Sequence, residues 1–173
     1  MHDELDPSER ERTHGPRSRG LDDPPKADLI RRFVAAVLDG VVAGVLNLAI
    51  PLLGGLLGAA YILFKDALPY EVTRNRAYAN QSIGKRAAGL EVALLEGHGP
   101  MSWGLSAQRN WPLAIGAVLG AIPLAGWVLG PVLGSLIGLV EALLIVIDPD
   151  GRRLGDRMAE TQVVPATRRR MVA

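Results

Sequence analysis

The stretch RRFVAAVLDGVVAGVL, Arg31–Leu46, reads as the start of a membrane-spanning helix in every respect but one. Apolar residues fill it from Phe33 onward, and Asp39 interrupts them. A carboxylate inside lipid costs roughly 2.5–3.5 kcal/mol on insertion scales, so it must face the interior of a bundle and find a partner or a proton there. What Asp39 meets decides between a transport site and a structural charge.

Working outward from Asp39, the charge of the whole chain is segregated. All 19 Lys and Arg fall in three segments: seven in 1–32, six in 65–109 and six in 152–170. The windows 33–64 and 110–147 hold none, and each contains a single acid, Asp39 or Glu141. Two long apolar windows flanked by basic segments are the pattern of a polytopic membrane protein. A water-soluble domain of 173 residues would be too small to bury both windows on every side. The formal net charge of +1 conceals this arrangement. No basic stripe interleaved with aromatics is present, so nucleic acid is not expected as a partner. Without Cys there is no disulfide, thiolate nucleophile or thiolate metal site.

No metal or cofactor is expected. His2 and His14 lie twelve apart in a polar segment, and His98 lies in the turn Glu96–Pro100. P-loop, G-x-S-x-G and H-E-x-x-H signatures are missing, so the reading is not that of an enzyme. The first 28 residues are polar and lack the apolar core of a signal peptide.

As one helix, Phe33–Phe64 would span about 48 Å, against a hydrocarbon core of roughly 30 Å. Pro51, Gly54 and Gly55 divide it into a first helix over 30–50 and a second over 52–68. The second is barely long enough to span and is compatible with a re-entrant hairpin. PLAGWVLGP, 123–131, divides the other window in the same way. A third helix is expected over 103–122, capped by Ser102 and interrupted by Pro112, and a fourth over 129–147. Trp103 and Trp111 mark one interface and Trp127 the other. The predicted fold is an all-α membrane protein of four transmembrane helices in two hairpins over 29–165. A disordered tail over 1–28 precedes it, and a basic tail over 166–173 follows. Every Lys and Arg lies in the tails or the 65–109 loop, so the positive-inside rule places both termini and that loop in the cytoplasm.

Within the loop, Ile83, Ala87, Leu90 and Leu94 recur at helical spacing. They predict a short interfacial helix whose Lys85 and Arg86 face lipid head groups. Arg168, Arg169 and Arg170 either attract anionic lipid or simply fix topology. Gly130, Gly134 and Gly138 form a small-residue ladder on the fourth helix, and Gly40 and Gly44 continue one from Ala36 on the first. Such ladders pack helices within a chain or between two copies, as in a homo-oligomer.

Asp39 lies six residues inside Phe33, and Glu141 six before Ile147, so both sit at similar depth near one face. Arg32, two turns before Asp39, Arg109 at the mouth of the third helix, Lys85 and Arg86 are the available partners. A structural ion pair needs one of them. A proton- or cation-handling site would use Asp39 and Glu141 together, with Asn47 extending a polar path.

Three motifs resemble the RDD family of small bacterial membrane proteins. Arg32, Ala35 and Asp39 are similar to its R-x-x-A-x-x-x-D opening. Ser82-Ile83-Gly84-Lys85-Arg86-Ala87-Ala88-Gly89-Leu90-Glu91-Val92 resembles its T/S-L-G-K-R-x-x-G-L-x-V stretch, and Arg109 falls where the family has an arginine opening the next helix. Asp148 to Asp156, with Ala159, Thr161 and Val163, is similar to its closing D-x-x-x-R-x-L-H-D-x-x-A-G-T-x-V. Two departures stand out: Gly155 replaces the family's usual His and Glu160 its usual Gly. The resemblance covers about 30–165. It implies a bacterial inner-membrane protein and makes Arg32, Asp39 and Asp156 the principal site residues. Some members have been proposed as transporters or cation/proton exchangers.

The sequence therefore supports a non-catalytic membrane scaffold or interaction protein. Arg32, Asp39, Arg109, Glu141 and Asp156 would form a charged cluster at its cytoplasmic mouth. The alternative is a small transporter using Asp39 and Glu141. Asp156 has a plainer role open to it, capping a short helix over 156–160.

Overall fold

The computed structural model describes residues 25–49, 54–122 and 124–166. His2, His14, the turn at Pro51 and Arg168, Arg169 and Arg170 lie outside the described residues. In chain order the elements are α1 Leu29–Ala49, α2 Gly54–Phe64, α3 Leu68–Thr73, a 3₁₀ turn Arg76–Tyr78, α4 Ile83–Ala87, β1 Leu90–Leu94, α5 Trp103–Gly120, α6 Ala125–Ile147, α7 Leu154–Met158 and β2 Thr161–Pro165.

The four long apolar helices pack as an open arc. α1 lies against α2, α2 against α5, and α5 against α6. α1 and α6, at the ends of the arc, form no comparable interface, and two cavities lie between them. The larger, about 880 Å³, is lined by Gly40, Gly44 and Asn47 on one side and Gly134 and Ser135 on the other. Among the described residues, only Gly126–Ile147 is both long and apolar enough to cross a bilayer unaided. α2 has 11 residues and spans about 16 Å. α1 carries Arg32 and Asp39, and α5 carries Arg109. Four apolar helices are present, with one clear span among them.

The surface is the inverse of a water-soluble one. Phe33, Val41, Trp127, Leu136 and Val146 point outward, while Arg32, Asp39, Arg109, Glu141 and Asp156 are buried. Buried charge surrounded by exposed apolar side chains is the pattern expected when lipid is the outer solvent.

The glycine ladders are used in part. A Cβ on Gly130 would lie 2.5 Å from the backbone of Gly120, and one on Gly116 would lie 2.4 Å from Gly134 Cα. Gly130 and Gly134 therefore hold α6 against α5 within one chain. Gly40, Gly44 and Gly138 have nothing within 4 Å of the same position. A Gly130→Leu change should cost about 3 kcal/mol or more by forcing two backbones apart. Gly44→Leu should stay within about 0.5 kcal/mol. Thermal unfolding of both variants in detergent separates the two cases.

The central loop differs from the expected interfacial helix. α4 ends at Ala87, Gly89 takes φ +68°, and Leu90 and Leu94 then lie in β1. Residues four apart share a face in a strand as well as in a helix, so the Leu90–Leu94 spacing suits either. β1 pairs antiparallel with β2, Leu90 opposite Pro165 and Leu94 opposite Thr161. The C-terminal segment is thereby tied to the loop, and the fold is not wholly helical. Lys85 is buried rather than facing lipid. Arg86 is exposed, but its guanidinium donates to the Ala77 carbonyl at 2.7 Å and stacks 3.8 Å over Tyr78. The folded unit also begins earlier than residue 29. Ala27 packs with Ala35, Leu90 and Val163, and Lys26 donates to the Asp148 carbonyl.

Candidate functional site

The charged residues meet at the end of the bundle where α4, α7 and the two-stranded sheet cover α1, α2 and α5. Arg32, Ala35 and Asp39 recur along one face of α1 and are its buried residues. Asp39 is held by four donors: Tyr61 Oη at 3.0 Å, Ser82 Oγ at 2.7 Å, the Gly84 amide at 2.8 Å and Lys65 Nζ at 3.0 Å. Ser82 caps α4 with the same oxygen, accepting from the Lys85 amide at 3.2 Å. A Cβ on Gly84 would lie 2.1 Å from the Ala35 carbonyl oxygen, so only glycine lets α4 lie this close to α1 and donate to Asp39.

Arg109 is the hub. Only 1% exposed, it pairs with Asp66 through Nη1, stands 2.7 Å from Asp156 through Nη2, and donates to Thr161 Oγ1 through Nε at 3.1 Å. Asp66 also receives Lys85 Nζ and the Asn110 amide, the latter at 3.0 Å. Asp156 receives Arg32 Nη2 at 3.2 Å and Arg153 Nε at 3.3 Å. Oδ2, the oxygen that meets Arg32, also accepts from the Arg153 amide at 3.3 Å, which caps α7. Capping and ion pairing are thus both roles of this one carboxylate, and α7 begins at Leu154 rather than at 156. Arg32 further donates to the Gly151 carbonyl, and Arg153 to Asn110 Oδ1 at 2.7 Å.

Five cations (Arg32, Lys65, Lys85, Arg109, Arg153) and five carboxylates (Asp39, Asp66, Glu141, Asp148, Asp156) are buried. Burial would raise the Asp156 carboxyl, but Arg109, Arg153 and Arg32 overcome it and hold it at about 2. Burial is likewise outweighed at Asp66, where Lys85, Arg109 and Lys65 keep the carboxyl well below its ordinary range. Both groups are depressed in the fold, so their stabilisation is complete above about pH 4 and is lost as pH falls towards 2. From 3.8 to about 2, Asp156 alone contributes about 2 kcal/mol. Thermal melts from pH 6 down to pH 2.5 should show a steep loss below pH 4. The Asp156→Asn chain, already less stable, should show a shallower one.

The arginine and the two aspartates of the opening and closing motifs, Arg32, Asp39 and Asp156, all lie in this network. Residues 26–160 match the RDD family. The chain belongs to the RDD family. No curated protein and no solved structure matches it. RDD proteins are a membrane-associated family, in keeping with the apolar outer face of α6.

Of the residues singled out in this RDD chain from sequence, Arg32, Asp39, Arg109 and Asp156 are joined into one network, though not by the pairing expected. Arg32 meets Asp156 rather than Asp39, and Asp39 takes Lys65. Glu141 lines the same cavity as Asp39, but their bonding partners differ. Lys65, Asp66 and Tyr61 are members that sequence reasoning passed over, and Ser82 and Arg153 stood in the quoted motifs without a role assigned to them. His98 is exposed in its turn.

Proposed function

We propose that this RDD chain is a non-catalytic, multi-pass protein of the bacterial inner membrane, with both termini cytoplasmic. In this reading the buried charges form a structural latch that closes the cytoplasmic end of the helix arc and presents it to a partner. The observation that supports this most is the saturation of Asp39. Four donors surround its two oxygens, and the cation among them comes from the same chain. A carboxylate that carries protons or ions must exchange partners, and here each exchange would open α1 from α4 and α2. The segregation of every Lys and Arg to the tails and the 65–109 loop supports the orientation.

The test is Asp39→Asn in proteoliposomes. The latch reading expects no proton or sodium flux from the wild-type chain. It also expects the variant to lose about 3 kcal/mol, because Lys65 is left as an uncompensated buried charge. A wild-type cation flux that disappears in a fully folded Asp39→Asn chain would instead establish the exchanger.

A further inference from the structure

Glu141 is the exception among the buried charges. It is 3% exposed, no side chain donates a hydrogen bond to either carboxylate oxygen, and the Gly155 amide approaches it only loosely. Its nearest cation is Arg153, with Nε 3.8 Å from Oε2, beyond hydrogen-bond reach. That guanidinium is already engaged by Asp156 and Asn110. A buried carboxylate so poorly supplied with donors is unfavourable, and it is relieved either by a proton or by a donor from outside the chain.

The cavity that Glu141 lines shows where such a donor enters. It measures about 380 Å³ and lies between α1 and α6, the two helices that do not close on each other. Its apolar lining includes Leu29 and Phe33 of α1 and Gly138, Ile145 and Val146 of α6. Phe33 and Val146 continue onto the exposed outer surface. The rest of its lining is charged, with Arg32, Lys65, Lys85, Arg109 and Arg153 around Asp39 and Glu141. Gly138, one turn before Glu141, keeps the passage wide, since nothing lies within 4 Å of where its Cβ would be. An occupant must therefore be apolar at one end and donate hydrogen bonds at the other.

We propose that this cavity is a lateral binding site for a phospholipid with a primary ammonium head group, whose N–H groups donate to Glu141. The phosphate lies towards Arg153 and Lys65, on the interface side, and an acyl chain runs past Gly138 towards the middle of the bilayer. The inference rests on the chain being embedded in a bilayer. A phospholipid whose ammonium is fully methylated has the same charge and no N–H, so it cannot satisfy Glu141.

The wild-type chain, Glu141→Leu and Gly138→Leu are reconstituted in nanodiscs holding equal phosphatidylethanolamine and phosphatidylcholine, and retained lipid is measured by native mass spectrometry. Wild type should retain phosphatidylethanolamine at least about five-fold over phosphatidylcholine, an affinity difference of about one hydrogen bond to a charged group. Both variants should lose the preference. Gly138→Leu guards against a Glu141→Leu chain that fails to fold, because it adds bulk only to the open passage. Melting temperatures supply a second readout: in pure phosphatidylcholine Glu141→Leu should melt no lower than wild type, whereas in phosphatidylethanolamine it should melt lower. Equal retention of the two lipids by an embedded wild-type chain overturns the proposal alone, as does a preference that survives in both variants. Equal stabilisation by soluble phosphoethanolamine in phosphatidylcholine discs overturns it too, since the apolar walls would then contribute nothing. A chain that stays soluble without lipid overturns the membrane reading and this proposal together.

Discussion

An Arg109→Met chain is expected to unfold at temperatures where the wild type is intact. Among the described residues, Arg109 is the one cation that touches both Asp66 and Asp156, and it does so from the interior of α5. Removing it leaves two buried carboxylates without their shared counter-charge and frees Thr161 Oγ1, which ties β2 to α5. Breaking one buried pair costs about 3–5 kcal/mol, and here two are broken at once, enough to exceed the total stability of many single domains. Arg109→Lys should rescue little. Nη1 and Nη2 reach different carboxylates, and a single ammonium cannot occupy both places. Adding Asp66→Asn and Asp156→Asn to Arg109→Met should recover part of the loss, because most of it is uncompensated charge rather than lost attraction. Thermal unfolding in detergent, with size-exclusion profiles, checks the series. An Arg109→Met chain that melts like wild type would remove Arg109 from the centre of the fold.

How far this network could be seen in advance depends on contrast with the surrounding sequence. Asp39 and Glu141 stand out because each is the sole charge in a long apolar window, and both prove to be buried. Lys65 and Asp66 are just as buried, yet they follow Phe64 at the edge of a window, where charges are expected and adjacent opposite signs look like a solvated turn. Their signal was positional: they lie at the mouth of the second helix, beside the mouth of the first. Arg153 was hidden by its neighbour Arg152, since a pair of arginines after an apolar helix reads as a topology signal. The sheet was obscured by degeneracy of period. Leu90 and Leu94 fit a helix, and only Gly89 and the β-branched Val92 between them, with Val163 and Val164 on the other side, point to strands. The glycine ladders were visible as repeats, but repeats do not say which rungs touch. Gly130 and Gly134 meet α5, whereas Gly138 faces a cavity.

The two departures from the RDD pattern give the last expectation, and the structure assigns them opposite signs. Gly155 occupies the position where the family commonly carries His. A Cβ there would lie 1.9 Å from the Arg109 carbonyl oxygen and 2.9 Å from its carbon, both backbone atoms of α5 that no rotamer change can move aside. Gly155→Ala must therefore lift α7 away from α5. Asp156 is the next residue, so the lift pulls its carboxylate from Arg32 and Arg109. The expected loss is about 3 kcal/mol, overpacking and weakened ion pairs together. Gly155→His should be worse. Glu160 is the reverse case. It is exposed and holds φ at +48°, in the left-handed region that favours glycine, the residue the family commonly has there. Its exposed side chain is set against Glu96, another acid, which hydrogen-bonds to it only when one of the two is protonated and repels it at neutral pH. Glu160→Gly should therefore raise the melting temperature while Gly155→His lowers it, although both move the chain towards the family pattern. If Gly155→His left the melting temperature unchanged, α7 could not be seated on α5 as closely as the geometry requires, and the Arg109–Asp156 pair would have to form from a different approach of the two helices.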